Sequence, residues 1–153
     1  MNITFEIDEE KLAKILQAKA DLVTHDEEAM LEIHNLLAKM CDPYVPMDEG
    51  YLSQSVHVFP EYIRYNGPYA HYMYVGMVYG PNIPIKDKAG NIIGWFSPPN
   101  QKKHPTGRQM TYDTEKHLLA SREWDKAMMR DKKDSFLKQA EDILARRANA
   151  LNV

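Results

Sequence analysis

Met30, Ile33, Leu37 and Met40 recur at helical spacing, and the run ends at Asp42-Pro43. A proline lacks a backbone donor and biases the residue before it away from the helical region, so this dipeptide divides the chain into two textures. Upstream, Thr24 followed three residues later by Glu27 forms a capping box that predicts the start of this helix. Nearer the N-terminus, Ile3, Phe5 and Ile7 alternate with polar residues as in a half-buried strand. Asp8, Glu9 and Glu10 then predict the start of an earlier helix, with Leu12, Ile15 and Leu16 on its apolar face, fading near Asp21.

Beyond Pro43 the elements shorten. Val56 to Phe59 and Tyr62 to Tyr65 read as two strands joined at Pro60-Glu61. Asn66-Gly67-Pro68 predicts a chain reversal, because Asn and Gly tolerate positive φ and Pro fixes its own, and Tyr69 to Val75 predicts a short helix. Ile83 to Lys86 and Asn91 to Trp95 flank Asp87-Lys88-Ala89-Gly90 as a second hairpin, whereas residues 97–109, with Pro98, Pro99, Pro105 and Gly107, read as an exposed loop. From Ser121 the helical period returns, with Trp124 and Met128 one turn apart, then Leu137, Ala140, Leu144 and Leu151, and with Arg146 and Arg147 where cations offset the helix dipole. Segregated helices and strands imply an α+β fold, a small mostly antiparallel sheet packed by two N-terminal helices and a C-terminal helix. The expected organisation is a single domain over residues 1–153 with a hairpin-rich insertion at 77–120.

Composition narrows the function. A hydrophobic content of 44% suffices for one core, and a net charge of -3 argues against a general nucleic-acid binder, whose affinity comes from clustered Lys and Arg. The single Cys41 allows no internal disulfide and fits a reducing cytoplasm. The first residues lack a basic start followed by an apolar run, and no stretch approaches the ~18 apolar residues of a span, so neither secretion nor membrane contact is expected.

Chemistry-bearing patterns are sparse. Histidines at 25, 34, 57, 71, 104 and 117 form no short-range ligand motif, so no metal or cofactor is expected. Asp113 and Glu115 near His117 offer an acid/base group for a small hydrolase, against the blander reading of a solvated polar stretch. No Gly-rich phosphate loop or nucleophile elbow stands out. Lys102-Lys103-His104 with Arg108 suits a phosphate backbone, an acidic neighbour or a solvated loop tip. Tyr65, Tyr69, Tyr72, Tyr74 and Tyr79 are more informative, since tyrosine combines a large apolar ring with a polar tip and is enriched at interfaces. Tyr72, Tyr74, Tyr79, Lys102, Lys103 and Arg108 are therefore candidate inter-subunit contacts.

Three stretches together resemble the minor capsid proteins of tailed phages, similar to the tail-completion or neck (head-to-tail connector) family. The first runs from Pro43 to Val56 and holds Pro46, Asp48, Gly50, Leu52 and Ser55 in a V-P-x-D-x-G-x-L-x-x-S pattern. There Pro46 stiffens the chain, Asp48 is expected to cap a one-turn helix, Gly50 adds backbone freedom and Leu52 points to the core. The second, Tyr65 to Gly76, contains Asn66, Gly67, Tyr69 and Ala70 and ends on Gly76 as a left-handed helix stop. The third is Trp124 at the head of the final helix, where such proteins carry a buried tryptophan. The likeness covers about residues 43–76 and 121–150 and only loosely 77–120.

The resemblance implies a structural, non-enzymatic virion protein that assembles with itself as a ring at the neck or as a tail terminator, after folding in the host cytoplasm. Its implied neighbours are connector or portal-side proteins and tail-tube or terminator proteins, with DNA passing through the ring without specific binding.

Overall fold

A computed structural model describes residues 2–6 and 25–151. The fold is α+β, as the segregated order predicts. β1 (Ile3–Phe5), β2 (Val56–Val58) and β3 (Ile63–Tyr65) form an antiparallel sheet in the order β1-β3-β2. Ile3 and Val56 both pair with Tyr65, and Phe5 and Val58 both pair with Ile63. Strand periodicity therefore turns these six side chains to the helices, leaving Thr4, His57 and Arg64 on the outer face. The expected first helix, from Asp8 to about Asp21, and Thr24 of the capping box lie outside the described residues.

α1 (Glu27–Cys41) starts at Asp26, whose side chain accepts a hydrogen bond from the Glu28 amide at 3.2 Å. Asp26 is thus the residue that caps this helix. Met30, Ile33, Leu37 and Cys41 are buried along one stripe, and a single 3-10 turn over Asp42–Tyr44 ends the run at Pro43.

α4 (Trp124–Ala150) packs along α1 and buries Trp124, Met128, Phe136, Ala140 and Leu144. The stripe passes through Phe136 more deeply than through the half-buried Leu137, and Leu151 is exposed beyond the helix end. Lys132 leaves helical dihedrals (φ -131°, ψ 20°) where Tyr44 engages the helix. The Tyr44 hydroxyl donates to Asp131 Oδ2 at 3.1 Å and Lys132 Nζ lies 5.8 Å from its ring centroid.

Between these layers come α2 (Tyr51–Gln54) and α3 (Ala70–Val75), followed by an arm of four strands. β4 (Met77–Gly80) pairs antiparallel with β7 (His104–Gln109), and further out β5 (Ile83–Lys86) pairs with β6 (Ile92–Phe96). The strands therefore do not join into one sheet: among the described residues they form three separate antiparallel sheets of three, two and two strands. Residues 104–109 are a strand and not the expected loop. Pro105 and Gly107 disguise this strand, yet both are tolerated in a bulged edge ladder whose register shifts between Met77 and Tyr79.

Candidate functional site

The two loop motifs fold onto each other. Gly50 adopts φ 89° immediately before α2, in the left-handed region that other residues avoid. Asp48 does not cap this helix: Gly50 holds the capping position, no side chain bonds there, and the exposed Asp48 instead offers its carbonyl to Lys116 Nζ. Pro46 is buried, and Leu52 packs partly against the core. Ser55 Oγ donates to the Leu52 carbonyl at 2.7 Å, and the Asn66 amide donates to the Ser55 carbonyl at 3.2 Å.

A side chain grown on Gly67 would lie 3.6 Å from Leu52 Cδ1, 3.7 Å from Ser55 Oγ and 3.8 Å from the buried Ala70. The reversal at Asn66-Gly67-Pro68 uses no positive φ at Asn66 or Gly67; its turn closes through the Ala70 amide on the Gly67 carbonyl at 3.0 Å. These are ordinary van der Waals separations, so α2 packs against position 67 without requiring a glycine there.

Gly76 ends α3 at φ 69°, as the motif predicts, and its amide donates to the Tyr72 carbonyl at 2.9 Å. The third motif completes this unit. Trp124, fully buried, meets Tyr74, Tyr65 and Phe5 edge-on at 5.0, 5.3 and 6.0 Å between ring centroids. Tyr74 is therefore engaged within the chain, half-buried in this cluster, and its hydroxyl donates to Asp125 Oδ1 at 2.9 Å. Burial first, and the Asp125 carboxylate second, push its ionisation above the usual tyrosine range. Burial pushes the Cys41 thiol up to about 12, which removes it as a nucleophile.

His117 meets neither of its predicted carboxylate partners. Asp113 Oδ1 accepts from the Glu115 amide at 2.8 Å, and both residues are exposed. His117 turns the other way, with Nδ1 2.8 Å from the Val45 carbonyl and Nε2 3.8 Å from Asp42 Oδ2. Ser53 Oγ donates to the other oxygen of Asp42, so a carboxylate stands between hydroxyl and imidazole. That order is wrong for an activated serine, which needs the imidazole as its base in the middle. The cluster instead ties the 112–120 loop to the segment after α1. Among the described residues no three His, Cys, Asp or Glu side chains gather in a way that would hold a metal ion, and no helix is long and apolar enough to cross a membrane.

The arm is chemically different. Every residue of β5 and β7 is exposed, as is every residue of β6 except Gly94. Ile83, Ile85, Ile92, Ile93, Trp95 and Phe96 are between 46% and 66% exposed, which no core requires. Internal contacts hold the arm together. Arg108 places its guanidinium 5.5 Å from the Trp95 ring centroid, and Lys103 Nζ donates to the Pro81 carbonyl at 3.0 Å and to Ser97 Oγ. Tyr72 and Tyr79 pair edge-on at 4.7 Å at its root, and Lys102 is exposed. An open hollow of about 580 Å³ lies beside Lys102, His104 and Pro81, too shallow and too exposed to enclose a small molecule. Sequence reasoning named the arm's cations and missed its apolar residues, and of Ile83, Ile85, Ile92 and Ile93 only the adjacent pair Ile92-Ile93 departs from the alternation that would turn them to one face.

Comparison with protein-family models, with curated proteins and with solved structures returns no match to this chain.

Proposed function

We propose that this chain is a structural subunit that assembles into a ring in a tailed phage, at the neck or tail end where head and tail join. The observation that carries the reading is the arm, which presents six large apolar side chains to solvent on a self-braced pair of ladders. Such a surface is stable in water chiefly when another macromolecule covers it. Two further observations support the reading. The motif residues that resemble the neck family pack as one unit, Leu52 and Ser55 against Gly67 and Ala70. The residues offered for hydrolysis are pointed apart. No catalytic role is assigned.

Cryo-electron microscopy of intact virions tests the proposal. Ring density fitting this fold between portal and tail tube supports the neck, and density at the tail's upper end supports the terminator position. Virions with no copy at either place would overturn it.

A further inference from the structure

The charge of the chain is divided unevenly. Residues 81–109 hold Lys86, Lys88, Lys102, Lys103 and Arg108 against the single acid Asp87, a net charge of +4. Because the whole chain carries -3, the remainder carries -7. The arm is thus basic and apolar on a body of opposite sign.

One surface of that body complements it. The 112–120 loop is tied to α3 by Tyr112, whose hydroxyl donates to the Met73 carbonyl at 2.5 Å, and to residues 45–48 by His117 and Lys116. Around these ties Asp48, Glu49, Asp113 and Glu115 are exposed, with the cations Lys116 and Arg122 among them and a negative balance overall. Leu118 and Tyr51 stand out beside them at 80% and 76% exposure. The platform therefore combines apolar side chains with negative charge, and the arm combines apolar side chains with positive charge. Within one copy neither covers the other, since both are open to solvent.

We infer that the β5–β6 arm of one copy docks on the Asp48, Tyr51, Asp113, Glu115 and Leu118 platform of the next copy, an assignment that rests on the self-assembling reading above. Two different patches meeting in this way make a heterologous contact, which repeats around an axis and closes into a ring when the rotation allows. Burying Phe96 and the isoleucines supplies affinity, while the opposed charges set orientation and speed encounter. A second copy fits better than an anionic membrane, which would attract the arm but repel the body.

The test is a mixed crosslink in the full-length chain. Trp95→Cys and Leu118→Cys replace exposed side chains, so the core is untouched, and the buried Cys41 stays unreactive. Under mild oxidation, mixing the two variants is expected to give disulfide heterodimer several-fold above either homodimer, with the yield falling as salt is raised. Adding Glu115→Lys to the Leu118→Cys chain should lower that yield several-fold, and adding Lys102→Glu to the Trp95→Cys chain should recover part of it.

Homodimers of Trp95→Cys alone, or no heterodimer excess, would overturn the docking. So would a blue shift of Trp95 fluorescence on vesicles of phosphatidylcholine and phosphatidylglycerol together with no heterodimer. Virion microscopy keeps the two readings apart: a chain found in the neck without the crosslink loses only the docking, and a crosslinked chain absent from virions loses only the neck.

Discussion

Tyr74 donates its hydroxyl proton to Asp125 Oδ1 across 2.9 Å, joining the end of α3 to the first turn of α4 beside the ring of Trp124. The carboxylate and the buried surroundings both favour the neutral phenol. Tyr65 and Tyr112 are held neutral mainly by burial, Tyr112 up to about 12, and the Cys41 thiol likewise up to about 12.

These four groups make the fold sensitive to alkali. In the unfolded chain tyrosine ionises near pH ~10 and cysteine near ~8.5. Above those values the unfolded state binds fewer protons than the native state, so stability must fall as pH rises. Their stabilising effect is complete below about pH 8.5 and disappears progressively toward about pH 12 and above, at up to ~1.4 kcal/mol per pH unit for each fully buried group. Urea midpoints measured from pH 8 to 12 should decline with increasing slope. A flat stability profile to pH 11 would contradict this arrangement.

Gly76→Ala should be the most damaging of the glycine substitutions. Its φ of 69° disfavours any Cβ, and that Cβ would fall 2.7 Å from both Arg122 Cβ and Tyr112 Oη. Strain and overpacking together should remove about 2–4 kcal/mol in urea unfolding. Gly107→Ala also meets a positive φ, 78°, but nothing lies within 4 Å of its added carbon. It should cost only about 1 kcal/mol.

The same contrast explains what the sequence disclosed. The α1 stripe, the β2–β3 hairpin and the stop at Gly76 were legible because each depends on local rules, helical spacing, alternation and backbone freedom. β7 was not, because its residues contain Pro105 and Gly107 and take their strand geometry from a partner 24 or more residues away. His117 misled for the same reason: proximity in sequence to Asp113 and Glu115 says nothing about which way a loop turns, and Asp42 and Val45 lie far upstream. The arm's exposed apolar surface could not be read as exposed until the ladders were seen to stand apart from the core.

Two tryptophans report on the two halves of the molecule. Trp124 is fully buried and Trp95 is 52% exposed. Trp95→Phe should leave a blue-shifted emission that acrylamide quenches poorly, whereas Trp124→Phe should leave a red-shifted emission that is quenched readily. Because Trp124→Phe also loses packing against Phe5, Tyr65 and Tyr74, it should lower stability by about 1–3 kcal/mol, and Trp95→Phe should barely change it. Similar quenching of both variants would mean that the arm is covered in the free chain.

Arg147 closes the helix pair at its far end. Its guanidinium reaches Asp26 Oδ2 through Nε at 2.7 Å and through Nη2 at 2.6 Å, and Glu28 Oε2 through Nη1 at 2.7 Å. Asp26 is also the cap of α1, so one carboxylate starts one helix and receives the last turn of the other. Asp26→Ala should therefore cost about 1 kcal/mol for the lost cap, and somewhat more because the Arg147 guanidinium keeps only the exposed Glu28 as its carboxylate partner. Arg147→Met should lower the urea midpoint at low salt, with the loss shrinking as salt is added, because the pair is only partly shielded from solvent. The double variant should be less damaging than the two single effects added together, the signature of direct coupling. Arg146→Met, which removes the more exposed pair with Glu32, should leave the midpoint nearly unchanged. Strict additivity between positions 26 and 147 would show that α1 and α4 are held by their apolar stripe alone.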